Sequence, residues 1–134
     1  MKKTKILFIC KHNRFRSKVA EALLKVYDRQ GRFEAKSAGM HLDVLRPYVA
    51  ENVKKVLAEK GAVVESELPV LVDELAIKWA NKIIIVADNV SAKNFPKDKV
   101  EVWAVKDCDE LDLDGIKREV SNIEKKVLEL LSTF

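Results

Sequence analysis

Two continuous apolar runs constrain the fold of this chain more than any other feature. Lys5–Ile9 and Lys82–Ala87 lack the alternation of a half-exposed strand, so each is predicted to be a strand buried on both faces. Shorter strands are predicted at Phe33–Ser37 and Val100–Val105. A strand that is covered on both faces belongs to a sheet between two layers of helices, as in parallel α/β folds.

Stretches with helical periodicity separate these predicted strands. The first helix carries Ala20–Tyr27 and ends before Gly31, the second starts at Pro47 and ends before Gly61, the third covers Leu71–Ala80, and the fourth carries the apolar stripe Ile116–Leu131. Alternating strands and helices imply right-handed crossovers and a parallel sheet. In such sheets, ligands bind beyond the carboxyl ends of the strands.

Size and cysteine usage narrow the class of protein. A chain of 134 residues with 48% apolar and 34% charged residues is predicted to form one domain over residues 1–134, without a disulfide or structural metal. Cys10 and Cys108 show neither zinc-ligand spacing nor a disulfide framework, which favours a reducing, cytoplasmic compartment. The apolar run that follows Lys5 is too short for a signal peptide, and no run is long enough to cross a membrane.

Charge is distributed unevenly along the chain. The net charge of +4 is too mild to indicate a nucleic-acid partner. Residues 1–20 carry seven Lys or Arg and no acid, whereas Asp107–Asp114 carries five acids in eight residues. We therefore expect one region of the surface that attracts anions and another that is acidic. Because no apolar run is long enough to cross a membrane, no membrane partner is expected.

The turn after the first predicted strand carries the residues best suited to chemistry. Cys10 and Arg16 are separated by five residues, and Ser17 follows directly. Five residues allow the backbone N–H groups to converge on an oxyanion at a helix N-terminus. We predict that Cys10 lies beneath this anion as a thiolate and that Arg16 binds two of its oxygens. Ser17 is predicted to donate to the sulfur and to cap the helix.

This turn resembles the phosphate-binding loop of the low-molecular-weight protein tyrosine phosphatase superfamily, which also contains the thioredoxin-coupled arsenate reductases. The resemblance covers nearly the whole chain and rests on Ile6–Asn13, Arg16, Ser17, Ala20, Glu21, Ser37–Gly39, Ile83–Asn89 and Trp103–Asp107. It implies a three-layer α/β/α fold whose four-stranded parallel sheet has the order 2-1-3-4.

The resemblance also implies a double displacement in which Cys10 attacks phosphorus and Asp107 protonates the leaving oxygen. Arg16 and the loop N–H groups would stabilise the transferring group, and water activated by Asp107 would hydrolyse the cysteinyl phosphate. Asn13 would hold the loop in shape through side-chain hydrogen bonds, and no metal or organic cofactor is expected. The expected substrate-binding residues are Lys11, His12, Asn13, Arg14, Phe15 and Ser17.

Four positions depart from the family pattern. His12 replaces a glycine, which strains the loop if a positive φ is required there. Phe15 replaces the second loop cysteine and removes its disulfide with the nucleophile, while Arg14 favours a more anionic substrate. After Asp107, the segment Cys108–Glu110 stands where the family has proline and often tyrosines, so phosphotyrosine specificity is not implied by these positions.

Three functions remain open on sequence grounds. The first is a phosphomonoester hydrolase of the tyrosine phosphatase or acid phosphatase type, acting on a phosphotyrosyl protein or another aryl or anionic phosphate. The second is an arsenate reductase in which Cys10 takes arsenate, and Cys108, thioredoxin or a low-molecular-weight thiol completes the electron transfer, although residues 86–96 lack the usual relay cysteines. The third is a non-catalytic adaptor that binds phosphate. Cys108 is also a candidate for a reversible disulfide with Cys10.

Overall fold

The computed structural model describes residues 2–133, and its strands are β1 (Thr4–Cys10), β2 (Phe33–Gly39), β3 (Lys82–Val86) and β4 (Val100–Trp103). These strands form one parallel sheet in the order β2-β1-β3-β4. β1 pairs with β2 along its whole length and with β3 on its other side, so it is an internal strand. The predicted strand order is confirmed.

Four helices connect and cover the strands. They are α1 (Arg16–Tyr27), α2 (Glu51–Glu59), α3 (Glu74–Trp79) and α4 (Leu113–Ser132), and a short 3-10 turn spans Ala92–Asn94. Across residues 2–133, no helix combines the length and apolar character needed to cross a membrane.

The predicted starts of α2 and α3 are wrong, because the residues just before each helix are not helical. α2 begins at Glu51 rather than Pro47, and the backbone turns before it, where the Tyr48 N–H donates to the carbonyl of Arg46. α3 begins at Glu74 rather than Leu71, since Leu71 forms an isolated parallel bridge with Gly39. The periodicity of a helix carries no information about such a long-range backbone pairing.

Alternate residues of β1 pack into two separate cores. Ile6 and Phe8 lie in the larger core, with apolar residues of α1, α2 and α4, while Leu7 and Ile9 lie in the smaller core on the side of α3. These four residues are at most 1% exposed, and the burial of each contributes roughly 1.5–3 kcal/mol. Burial on both faces explains the continuous apolar run and confirms the three-layer architecture.

The carboxyl ends of β1 and β2 fix the start of the loop between β1 and α1. Cys10 is the last residue of β1 and pairs with Gly39, the last residue of β2. A Cβ atom at Gly39 would lie 2.8 Å from the backbone carbon of His12 and 2.9 Å from the backbone nitrogen of Asn13. Only glycine therefore allows the loop to lie this close to the end of β2.

Candidate active site

Cys10 lies in the wall of a cavity of about 360 Å³ at the carboxyl end of the sheet. Its side chain is 2% exposed, as expected for the last residue of an internal strand. The remaining predicted site residues in the wall are His12, Arg14, Phe15, Arg16, Asp107 and Cys108. The topology thus brings the segment that carries Cys10 and Arg16 next to the segment that carries Asp107 and Cys108. The two segments are about ninety residues apart in the sequence.

The hydroxyl group of Ser17 lies within hydrogen-bonding distance of the sulfur of Cys10. Its Oγ lies 3.0 Å from the Cys10 Sγ and accepts a 2.7 Å hydrogen bond from the Asn13 Nδ2. Because this bond uses the hydroxyl as an acceptor, the hydroxyl hydrogen can be donated to the sulfur. The predicted capping role of Ser17 is wrong, since Phe15 is the N-cap of α1 and no side chain caps this end.

Asn13 holds the loop against the neighbouring segments. Its Nδ2 also donates to the Ser37 Oγ at 3.0 Å, and its Oδ1 accepts from the Val70 N–H at 2.9 Å. Among the described non-glycine residues, Asn13 has the one positive φ, 57°, which asparagine tolerates better than most residues. His12 takes no such φ, so the strain expected at that position does not arise.

The guanidinium group of Arg16 is fixed by segments that follow β3 and β4. Its Nη1 donates to the carbonyl of Val105 at 2.9 Å, and its Nη2 donates to the Asn89 Oδ1 at 3.1 Å. The Asp88 Oδ1 lies 3.5 Å from the same Nη1. Arginine has five N–H donors, so this buried side chain keeps donors for an oxyanion in the cavity that it lines.

The loop backbone retains further donors. Within the described chain, the backbone N–H groups of residues 12–15 donate to no protein acceptor. They directly precede α1, where the helix dipole adds positive potential. Together with Arg16, these groups give the loop the donor set that a tetrahedral oxyanion requires.

Asp107 and Cys108 enter the cavity wall from the segment between β4 and α4. The Asp107 Oδ2 lies 3.8 Å from the Arg16 Nη2, and its side chain is 49% exposed. Partial burial, together with the carboxylates of Asp107 and Asp112, raises the pKa of Cys108 to about 11. At neutral pH Cys108 is therefore a thiol rather than a thiolate.

Lys11 and His12 occupy different positions relative to the cavity. The Nδ1 of His12 lies 2.8 Å from the carbonyl oxygen of His41, which can only accept, so this nitrogen carries a hydrogen. Lys11 does not line the cavity, and its backbone carbonyl accepts from the His41 N–H. A molecule in this cavity can therefore contact His12 but not Lys11.

Several residues of the site were missed in the sequence. Asp88 and Asn89 follow β3 after one intervening residue, and polar residues at the carboxyl end of a central strand are a usable signal for a binding site. Arg46 and Glu110 also line the cavity, and they come together only through the fold. Residues 2–133 contain no group of three or more His, Cys, Asp or Glu suited to holding a metal ion.

Comparisons with solved structures find proteins with the same overall fold. An arsenate reductase from Archaeoglobus fulgidus DSM 4304 is 33% identical, with a TM-score of 0.80 over 95% of this chain and 98% of that chain. A low molecular weight protein tyrosine phosphatase from T. tengcongensis is 20% identical, with a TM-score of 0.84 over 98% and 100% of the two chains. The YwlE arginine phosphatase from Geobacillus stearothermophilus is 23% identical, with a TM-score of 0.80 over 97% and 92%.

The similarities to the phosphatase from T. tengcongensis and to the YwlE arginine phosphatase, both below 25% identity, establish the fold alone. A search of curated protein sequences finds no significant match. The sequence family described as low molecular weight phosphotyrosine protein phosphatase matches residues 5–133. Because that match spans nearly the whole chain and the sheet order agrees with it, the chain belongs to the low molecular weight phosphotyrosine protein phosphatase family.

Proposed function

We propose that this protein is a phosphomonoester hydrolase that acts through a cysteinyl-phosphate intermediate. The observation that carries the proposal is that Cys10, Arg16 and Asp107 line one cavity, with the Ser17 hydroxyl 3.0 Å from the sulfur. A buried sulfur beneath free amide donors and a guanidinium suits attack on a phosphorus atom.

Each residue has a defined task in the proposed reaction, and Asp107 acts in both of its steps. The Cys10 thiolate attacks phosphorus, and the Arg16 guanidinium and the N–H groups of residues 12–15 stabilise the charge on the three transferring oxygens. Asp107 donates a proton to the leaving oxygen, and its carboxylate then accepts a proton from the water that attacks the cysteinyl phosphate. Ser17 stabilises the thiolate, which is regenerated when phosphate leaves. The reaction requires a reduced thiol and therefore suits the cytoplasm.

Asp107→Asn provides the test of the proton donor. We expect the turnover of phenyl phosphate to fall about 100-fold or more, because an amide cannot donate a proton to a poor leaving group. The loss for p-nitrophenyl phosphate is expected to be smaller, since p-nitrophenolate leaves readily without protonation. The kcat/KM values of the wild type and the variant are measured for both substrates at one pH. Equal losses for the two substrates would contradict the assignment.

Arsenate reduction is the second candidate, favoured by the 33% identity to the arsenate reductase from Archaeoglobus fulgidus. Cys10 would attack arsenic and release water, and a second thiol would then attack the Cys10 sulfur. The sulfur–arsenic bond would break, its electron pair would reduce arsenic to arsenite, and a disulfide would remain. Cys108 lines the same cavity and is the internal candidate for the second thiol, while thioredoxin or a small thiol is the external one.

An arsenate assay shows whether Cys108 or an added thiol reduces the arsenic. It also tests the third hypothesis, a non-catalytic adaptor that binds phosphate. Since the high pKa of Cys108 disfavours its thiolate, we expect that any reduction needs an added thiol and survives Cys108→Ala. Arsenite formation is measured with thioredoxin or glutathione, and a peptide map tests for a Cys10–Cys108 disulfide. Loss of arsenite formation in Cys108→Ala would assign the relay to Cys108. Phosphate binding without either activity would leave the phosphate-binding adaptor.

A further inference from the structure

The segment that carries Asp107 is fixed at both of its ends. We define the acid loop as residues 104–112, between β4 and α4. At its start, the Val105 carbonyl accepts from Arg16 and from the Asp88 N–H. At its end, the Asp112 side chain accepts from the Gly115 N–H at 3.0 Å and caps α4. Asp107 lies between these two attachments.

Glu110 provides an attachment in the middle of the acid loop. Its Oε1 lies 3.1 Å from the Arg46 Nη1 and 3.4 Å from the Arg14 Nη2. Its backbone carbonyl accepts from the Asn52 Nδ2 at 3.0 Å. Glu110 thus contacts the loop between β1 and α1, the segment before α2, and α2 itself.

The two arginines that bind Glu110 are themselves held in place. The Arg14 Nε donates to the carbonyl of Tyr48 at 2.9 Å, and its guanidinium lies 5.0 Å from the centre of the Tyr48 ring. Arg46 forms a 2.9 Å ion pair with Asp43. Because both guanidinium groups are already oriented, Glu110 binds to a pre-formed pair of cations.

We propose that Glu110 is a positioning residue that fixes the acid loop on Arg14 and Arg46 and thereby places Asp107 for proton transfer. This inference rests on the proposed hydrolase function. Two residues separate Asp107 from Glu110, so loss of the Glu110 ion pairs loosens the backbone on one side of Asp107. Proton transfer depends strongly on position, and a displacement of about 1 Å can cost up to about 100-fold in rate. Arg14 in this account holds the acid loop in addition to lining the cavity.

The kinetic test compares two leaving groups in Glu110→Ala. We expect kcat/KM for phenyl phosphate to fall about tenfold, because its leaving oxygen needs a placed proton. For p-nitrophenyl phosphate we expect a fall of less than about threefold. In an Asp107→Asn background, Glu110→Ala should add no further loss, since the group that it positions is gone. Glu65→Ala is the matched control, because it removes an exposed ion pair with Lys25. We expect it to leave kcat/KM unchanged for both substrates.

A structural test does not depend on any activity. Cys108 is one of two cysteines, so in Cys10→Ser it is the one thiol that iodoacetamide can alkylate. Partial burial and the neighbouring Asp107 raise the pKa of this thiol, so release of the acid loop should accelerate alkylation. We expect a rise of severalfold when Glu110→Ala is added and no change when Glu65→Ala is added.

The outcomes separate this inference from the proposed function. An unchanged alkylation rate, equal losses for the two substrates, or a further loss in the Asp107→Asn background would each overturn the positioning role of Glu110. A wild-type protein without phosphatase activity would remove the hydrolase proposal and with it any part of Glu110 in proton transfer. Faster alkylation in Glu110→Ala would then still establish that Glu110 fixes the acid loop.

Discussion

Replacement of Cys10 by serine reduces the turnover of p-nitrophenyl phosphate by an expected factor of about 10⁴ or more. The attacking atom in the proposed reaction is a thiolate, and an alkoxide is far less accessible at neutral pH. Serine has nearly the same shape as cysteine, so the buried end of β1 and the hydrogen bonds around Asn13 should remain. The loss is therefore expected in kcat, with little change in the affinity for inorganic phosphate.

Steady-state kinetics and a phosphate-dependent thermal shift measure these two quantities in parallel. Cys108→Ala is the matched variant, because it removes the other cysteine from the same cavity wall. It should retain phosphatase turnover, since no step of the proposed hydrolysis uses Cys108. If Cys10→Ser kept more than about one-hundredth of the wild-type turnover, Cys10 would not be the nucleophile.

Arg16→Lys is expected to lower kcat/KM by about 100- to 1,000-fold. Lysine keeps one positive charge but lacks the planar fork that binds two oxygens at once. Arg16 also donates to the Val105 carbonyl through Nη1 and to Asn89 through Nη2, and the single nitrogen of an ammonium group does not reproduce this two-nitrogen geometry. The variant should therefore lose both the stabilisation of the transferring group and the fixed orientation of the cation.

The measurement pairs kinetics with urea denaturation, so that a loss of activity is separated from a loss of fold. Arg118→Lys is the control, because Arg118 is an exposed arginine that contacts the neighbouring Glu119. We expect it to leave kcat/KM unchanged and to shift the free energy of unfolding by less than about 0.5 kcal/mol. Full activity of a folded Arg16→Lys protein would argue against bidentate binding of the oxyanion.

The sequence was sufficient to predict the sheet and the loop between β1 and α1, because both depend on local patterns. The runs at β1 and β3 are apolar throughout since both faces of these strands are buried. The spacing of Cys10 and Arg16 and their place between a strand and a helix were also visible in one short segment. The structure brings both of these residues to a single cavity wall.

The features that could not be predicted depend on contacts between distant segments. The role of Gly39 requires the close approach of the backbone at His12, and the start of α3 depends on the pairing of Leu71 with that glycine. Glu110 lies in an acidic run that has the composition of an ordinary solvated loop. Its two arginine partners are 64 and 96 residues away in the sequence, so no local pattern could have identified their contacts.

The position of Cys10 at the end of an internal strand couples the proposed nucleophile to the cooperative unfolding of the whole sheet. β1 is hydrogen-bonded to β2 and to β3, so local openings of the protein leave this strand intact. The acid loop has no sheet partner and is attached through side chains and its two ends. Heating or mild denaturant should therefore first produce a form that still binds an oxyanion but transfers protons slowly. For the proposed hydrolase, we therefore expect phosphate binding to survive conditions under which the hydrolysis of phosphate esters is already lost.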